Sequence, residues 1–170
     1  MRIFHESQRG HIASIMQNGL VQGSSGVKSQ NSLNTKTDKL LDQHRPVAVK
    51  TANICREKNI YGYVGIDEKI IDIIDGTHRD LAEYIKNSSL VVLELMPEPT
   101  QCYVSDLDRY DAIKQMVDLN APLDSIIPLI GHYWSALVPL QMYNPSDIRR
   151  PEVVITSDIQ PSAIHVIDIG

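Results

Sequence analysis

Apolar residues recur in short runs along this chain, and each run is bounded by polar, Gly or Pro positions. Runs of about four to eight residues with such boundaries predict β-strands. The nearly continuous apolar run at 90–95 is typical of a central strand that is buried on both faces. Similar but weaker patterns predict further strands at 2–6, 60–64, 102–104, 152–156 and 164–168.

Helical periodicity is weaker and predicts short helices between these strands. Ile12, Ile15 and Met16 fall on one face of a first helix, which Ser7 would cap and Gly19 would end. The many short strands and few long helices predict the α+β class. This pattern of elements does not fit a doubly wound parallel sheet. Other helices are expected at 36–43, at 77–86 with Thr77 as N-cap, and from Asp106 or Asp108 to about Leu119. The segments 21–35 and 120–131 are expected to be irregular.

Length and charge narrow the class of protein. A chain of 170 residues predicts one domain, spanning 1–170. Its formal net charge of −5 disfavours non-specific binding to nucleic acid or membranes. The N-terminus turns polar after three residues, unlike a signal peptide, and no apolar run approaches the roughly 18 residues of a membrane helix. We therefore expect a cytoplasmic protein that does not bind membranes.

Common cofactor and metal motifs are absent from the sequence. It has no GxGxxG or P-loop phosphate motif, no HExxH, no GxSxG, and no close pair of metal-ligand histidines. Cys55 and Cys102 form no CxxC pair, so we expect reduced thiols. Cys55 beside Arg56 and Lys58 could be a nucleophile with a lowered pKa, but the favoured interpretation is a half-buried small residue. The excess of Lys and Arg over Asp and Glu in 36–58 suits an anionic ligand.

Three segments resemble proteins of the ADP-ribosyltransferase fold. The opening Phe4-His5-Glu6-Ser7, followed by a helix and by Asn18-Gly19-Leu20, is similar to their first strand with its His and the helix ending in "GL". The late Arg150-Pro151-Glu152-Val153, with its following turn and strand, resembles the end of the toxin branch that modifies DNA or small molecules. Between them, Arg56 followed by Tyr61-Gly62-Tyr63 is similar to the second-strand region.

The resemblance implies split antiparallel sheets with short flanking helices, and NAD as substrate without a metal. The enzyme would break the nicotinamide–ribose bond and transfer ADP-ribose to a nucleic-acid base, a protein side chain or a small molecule. Glu152 would be the catalytic residue that stabilises an oxocarbenium-like transition state. The interpretation without this resemblance is a glutamate exposed to water at a strand edge or in a turn. Toxin activity would further imply an antitoxin partner.

The same resemblance implies five cofactor-binding residues. His5 would bind a ribose hydroxyl or an orienting backbone carbonyl, and Ser7 would help to hold the ribose or phosphate. Arg56 would pair with the diphosphate, a role for which Arg45 competes. Tyr61 and Tyr63 share one face of their strand and would stack on nicotinamide, or else pack in the sheet. Tyr133 and Trp134 would line the target site or anchor the core.

Departures from the family pattern keep other functions open. The chain lacks a Ser-Thr-Ser strand motif, an ExE or QxE pair before Glu152 and an adjacent His-His pair. These absences argue against an arginine-modifying enzyme and disfavour an RNA 2′-phosphotransferase. The alternatives are a non-catalytic module that binds a nucleotide or protein on the same fold, and an RNA 2′-phosphotransferase.

Overall fold

A computed structural model of the protein describes residues 1–23 and 32–167. The predicted α+β class is confirmed, with nine strands and six α-helices in these residues. The strands are β1 (Arg2–Ser7), β2 (Ile60–Ile66), β3 (Lys69–Ile71), β4 (His78–Asp80), β5 (Val91–Leu95), β6 (Cys102–Asp106), β7 (Val138–Pro139), β8 (Pro151–Ile155) and β9 (Ile164–Val166). The helices are α1 (Ile12–Asn18), α2 (Leu33–Gln43), α3 (Val47–Thr51), α4 (Leu81–Asn87), α5 (Leu107–Asp118) and α6 (Leu123–Ser135).

The strand that opens the chain lies inside the sheet. The sheet order is β7-β6-β8-β2-β1-β5-β9, with β3 beside β2 and β4 beside β3. All of these pairs are antiparallel. β1 can occupy the interior because adjacent residues, Ile3 and Phe4, are both buried and so cover opposite faces of the sheet.

The sheet forks between β1 and β2. Their pairing runs from Arg2 opposite Gly65 to Phe4 opposite Tyr63 and then stops. Beyond that point β1 continues beside β5 as far as Ser7, while β2 continues beside β8 back to Ile60. The resemblance implied split sheets, whereas the described strands remain one hydrogen-bonded network that opens on one side.

Two glycines of β2 allow β1 and β2 to approach each other closely where the two strands are paired. A Cβ atom at position 62 would lie 2.7 Å from Ile3 Cγ2 and 2.9 Å from the carbonyl oxygen of Phe4. A Cβ atom at position 65 would collide with the ring of Phe4, which is completely buried. Glycine at both positions therefore permits β1 to lie against β2.

Helices α2, α5 and α6 pack on the sheet around a core that contains Tyr133 and Trp134. The Trp134 indole donates a hydrogen bond to the carbonyl of Leu41 at 3.0 Å. Trp134 is 3% exposed, so the interpretation of this residue as a core anchor is confirmed. None of the helices in the described part of the chain is long and apolar enough to cross a membrane.

Two predicted helix caps are wrong. Ser7 is the last residue of β1, and the following 3₁₀ turn begins at Arg9 with Gln8 before it. Thr77 does not cap α4, because the chain first forms β4 and the carboxylate of Asp80 then accepts a hydrogen bond from the Glu83 N–H. Both errors extend a helical pattern across residues that pair in the sheet.

Two predicted irregular segments also contain helix. Residues 33–35 belong to α2, whereas 24–31 lie outside the described residues. α6 runs through Pro128 because its apolar face buries Ile126, Ile130, Tyr133 and Trp134, which outweighs the loss of one backbone hydrogen bond. The last strand ends at Val166, and position 168 of the prediction lies beyond the described residues.

A matched pair of glycine substitutions tests the packing of β1 on β2. Gly65→Ala is expected to lower the free energy of unfolding by about 1–3 kcal/mol, because the new methyl group overlaps the buried Phe4 ring. Gly131→Ala, in an exposed part of α6 with open space around its Cβ, should raise it by about 0.5–1 kcal/mol. Urea unfolding of both variants measures the difference. Equal effects of the two substitutions would contradict the close packing.

Candidate functional site

A cleft of about 160 Å³ lies at the fork between β1 and β2. It is much smaller than the roughly 300–1,000 Å³ typical of pockets for whole ligands, so it suits one ring-sized group. Two parts of the chain that are far apart in sequence, β1 and β8, contribute to its walls. The lining residues are His5, Glu6, Tyr61, Gly62, Tyr63, Ile73 and Glu152.

His5 occupies the opening of the fork. The carbonyl oxygen of Tyr61 lies past the end of the β1–β2 pairing, and His5 Nδ1 is 2.8 Å from it. Because a carbonyl only accepts hydrogen bonds, Nδ1 carries the proton. Burial lowers the pKa of His5 below its ordinary value of 6.5, so the ring is neutral at pH 7. Nε2 is then a hydrogen-bond acceptor.

Glu152 is held by one of its two carboxylate oxygens. It stands opposite Tyr63 of β2 and Ser105 of β6 in the sheet register. Oε2 accepts hydrogen bonds from Arg56 Nη1 at 2.5 Å and from Ser105 Oγ at 3.3 Å. Its side chain is only 13% exposed, and β8 is an inner strand. The interpretation of Glu152 as an exposed residue at a strand edge is therefore wrong.

Tyr61 and Tyr63 both line the cleft, on either side of Gly62. The Tyr61 hydroxyl donates to the carbonyl of Arg56 at 2.8 Å, and the Tyr63 hydroxyl donates to Glu6 Oε2 at the same distance. Burial raises the pKa of both phenols, so both remain donors at neutral pH. Their hydroxyls are fixed by the protein, and the Arg56 guanidinium covers one face of the Tyr61 ring at 4.3 Å from its centroid, which leaves the Tyr63 ring and the other face of Tyr61 to a ligand.

Arg56 does not line the cleft. Its side chain is 6% exposed and contacts Asp38, Tyr133 and Glu152. The expected direct pairing with a diphosphate does not fit this placement, because the guanidinium is enclosed by protein groups. Arg45, the competing candidate, donates to the backbone carbonyls of Asp42 and Ile54.

Ser7 is also away from the cleft wall. It ends β1 opposite Val91 and is 9% exposed. Of the residues for which the resemblance implied a role, the structure thus brings together His5, Tyr61, Tyr63 and Glu152, and leaves Ser7 and Arg56 outside the lining.

The alternative nucleophile, Cys55, is a buried free thiol. It donates a hydrogen bond to Asp42 Oδ2 at 3.0 Å. Burial, followed by this contact with a carboxylate, raises its pKa rather than lowering it. This placement agrees with the favoured interpretation of Cys55 as a small buried residue and does not fit the alternative of a nucleophile activated by nearby basic residues.

Sequence reasoning missed Glu6, Ile73 and Ser105. Glu6 accepts hydrogen bonds from Tyr63 and from Ser88 Oγ, at 2.8 and 2.9 Å. Because side chains alternate along a strand, Glu6 and His5 lie on opposite faces of β1. The sequence alone therefore does not predict that both residues line one site, and they do so only because the sheet opens at the fork. Ile73 follows β3, and its carbonyl accepts a hydrogen bond from Arg150 Nε at 2.7 Å. No local pattern marks Ser105 or Ile73.

The cleft has a negative electrostatic character. Among the described residues, its lining contains two carboxylates, Glu6 and Glu152, a neutral histidine, and no Lys or Arg. Such a lining favours a cationic group or a centre that develops positive charge, and disfavours a phosphate. Among residues 1–23 and 32–167, no group of three or more His, Cys, Asp or Glu side chains could hold a metal ion.

No protein-family model, curated protein or solved structure matches the chain. The resemblance to ADP-ribosyltransferases therefore depends on the sequence motifs, and any function must be argued from the geometry of the cleft.

The buried neutral state of His5 makes the stability of the fold depend on pH. Below about pH 6.5 the unfolded chain protonates this histidine while the folded chain, with its lowered pKa, does not. The free energy of unfolding should therefore fall as the pH falls from 6.5 towards the folded pKa, by at most about 1.4 kcal/mol per pH unit.

The His5→Asn variant is compared with the wild type, because the amide N–H of asparagine can replace the Nδ1–H of His5 but does not titrate. Urea unfolding at pH 7.5 and pH 5.5 should show that the stability advantage of the wild type over His5→Asn shrinks at the lower pH. An advantage that stays constant would contradict a lowered pKa for His5.

Proposed function

We propose that this protein binds the nicotinamide–ribose end of NAD in the cleft, breaks the bond between these two groups and transfers ADP-ribose to an acceptor. The observation that carries this proposal is the meeting of His5 and Glu152 at the fork, because the same two residues were expected to serve this chemistry. The order of the strands supports it, since β1 and β8 flank β2 and bring both residues to one cleft.

The reaction needs a negative group beside the ribose. As the C1′–N bond breaks, its electron pair moves to the nicotinamide nitrogen, which becomes neutral, and positive charge develops on the ribose. A nucleophile of the acceptor then bonds to C1′ and loses its proton. Glu152 would stabilise the developing charge through Oε1, because Oε2 is already held by Arg56 and Ser105.

The other lining residues fit the binding of this end of NAD. The neutral His5 offers Nε2 as an acceptor for a ribose hydroxyl. The Tyr63 ring, and the face of Tyr61 that Arg56 does not cover, would offer flat surfaces for the cationic nicotinamide. The volume of about 160 Å³ accommodates the reacting end only, so the remainder of NAD would lie outside the cleft.

One of the two alternatives, the RNA 2′-phosphotransferase, is less well supported. An RNA 2′-phosphotransferase must hold a phosphate, and in the part of the chain that the structure describes the cleft lining contains two carboxylates and no Lys or Arg. A non-catalytic binding module would use the same surfaces, so it is distinguished by turnover alone. The acceptor stays within the three classes named above: a nucleic-acid base, a protein side chain or a small molecule.

Replacement of the catalytic carboxylate tests the proposal. Glu152→Gln should reduce the rate of nicotinamide release from NAD by about 100- to 1,000-fold, because a neutral amide stabilises positive charge poorly. Binding of NAD, measured by calorimetry, should change by less than about threefold, since the amide occupies the same space.

The matched control is Glu94→Gln, because Glu94 is also a strand carboxylate paired with an arginine, Arg2, at 2.7 Å, but lies outside the cleft lining. This control should turn over NAD like the wild type. Full activity in Glu152→Gln would refute the role of Glu152. Binding of NAD without nicotinamide release by the wild type, with protein, DNA and RNA extracts present as acceptors, would favour the non-catalytic module.

A further inference from the structure

Arg56 is fixed behind the cleft by contacts on its side chain. Nε donates to Asp38 Oδ1 at 3.3 Å, and Nη1 donates to the Tyr133 hydroxyl at 3.2 Å and to Glu152 Oε2. The guanidinium carbon also lies over the rings of Tyr61 and Tyr110, 4.3 and 4.5 Å from their centroids. These groups come from α2, α5, α6, β2 and β8, so the arginine joins the helical layer to the sheet.

The backbone of Arg56 is fixed as well. Its N–H donates to Asp42 Oδ1 at 2.8 Å, and its carbonyl accepts from the Tyr61 hydroxyl at 2.8 Å. Asp42 also accepts hydrogen bonds from the adjacent residues Cys55 and Glu57. The residue therefore has little freedom to turn towards a ligand, which suits a supporting role better than a binding role.

We propose that Arg56 is the positioning residue for Glu152. It holds Oε2, with help from Ser105, and so directs Oε1 of the same carboxylate towards the cleft. The inference rests on the proposed function, in which Glu152 stabilises the developing charge on the ribose. It reassigns an arginine that sequence reasoning placed on the diphosphate.

A cation next to a catalytic carboxylate would normally weaken the stabilisation of positive charge. Asp38 offsets this effect, because it is a second carboxylate on the same guanidinium, 2% exposed and also hydrogen-bonded by the Tyr110 hydroxyl at 3.0 Å. With Asp38 and Glu152 both bonded to Arg56, Glu152 does not face the guanidinium alone. The cleft therefore keeps its attraction for positive charge while Glu152 stays fixed.

Arg56→Lys is the first test, because lysine keeps the charge but lacks the planar guanidinium that contacts Asp38, Tyr133 and Glu152 together. The value of kcat for nicotinamide release should fall about 100-fold while KM for NAD changes less than about threefold, since a displacement of about 1 Å suffices for such a loss. Arg2→Lys is the matched control, because Arg2 also pairs with a strand glutamate but lies outside the cleft. It should retain wild-type activity.

A double variant separates action through Glu152 from a general structural effect. If Arg56 acts through Glu152, Arg56→Lys should add no further loss to Glu152→Gln. A double variant that loses a further 100-fold, or an Arg56→Lys enzyme that equals the wild type, would overturn the inference and leave the proposed function intact.

Crystal structures of the wild type and Arg56→Lys provide a readout that does not depend on activity. The Glu152 carboxylate should leave its present position in the variant while the β8 backbone stays in place. If the wild type releases no nicotinamide but the carboxylate moves in this way, the proposed function fails and the positioning role stands. A carboxylate that keeps its position refutes that role.

Asp38→Asn serves if Arg56→Lys does not fold. The amide oxygen can still accept from Arg56 and Tyr110, but the offsetting charge is lost. The expected result is a roughly tenfold fall in kcat at nearly constant KM. An unchanged kcat would overturn the role of Asp38 as the offsetting charge.

Discussion

The site depends on the point at which β1 and β2 stop pairing. A backbone carbonyl inside a protein needs a hydrogen-bond donor, and a sheet that opens leaves such groups without one. At the fork His5 supplies the donor through its side chain, 2.8 Å from the Tyr61 carbonyl. One contact therefore completes the backbone hydrogen bonding, selects the tautomer of the ring and places a hydrogen-bond acceptor at the cleft.

The second constraint is the burial of charge behind the cleft. Removing an arginine and two carboxylates from water is costly unless each group finds partners of the right geometry. Here the partners come from five different elements, and the ring faces of Tyr61 and Tyr110 cover the guanidinium. The same contacts that make the burial of Arg56 tolerable also fix Glu152, so the stability of this region and the geometry of the site have one physical cause.

Six of the nine described strands were predicted because their signal is local, whereas β3, β4 and β7, which have only two or three residues each, were missed. The apolar run at 90–95 predicts β5, and the alternation around Tyr61 and Tyr63 predicts β2. Both patterns can be recognised from residues next to one another in the sequence. α6 was not predictable in this way, since Pro128 suggests a break and only the buried face of the helix compensates for it. The caps at Ser7 and Thr77 failed because short strands use the same residues.

The site was predictable only in part, for a related reason. His5 and Glu152 carry a sequence pattern, whereas Glu6 and Ser105 reach the site through sheet register, which no local pattern shows. Arg56 was found but misassigned, since a sequence reveals the presence of a guanidinium and not the carboxylates that enclose it.

Buried ionic groups of this kind are poor contributors to stability. In other proteins, replacement of a buried ion pair or triad by apolar residues of similar volume is often neutral or stabilising. By that comparison, apolar side chains in place of Asp38, Arg56 and Glu152 need not destabilise the fold, provided that the hydroxyls of Tyr110, Tyr133 and Ser105, which now bond to them, are replaced as well. Mutagenesis that selects for thermal stability alone would therefore tend to remove the charges behind the cleft, and stabilised variants of this protein have to be screened with these three positions held fixed.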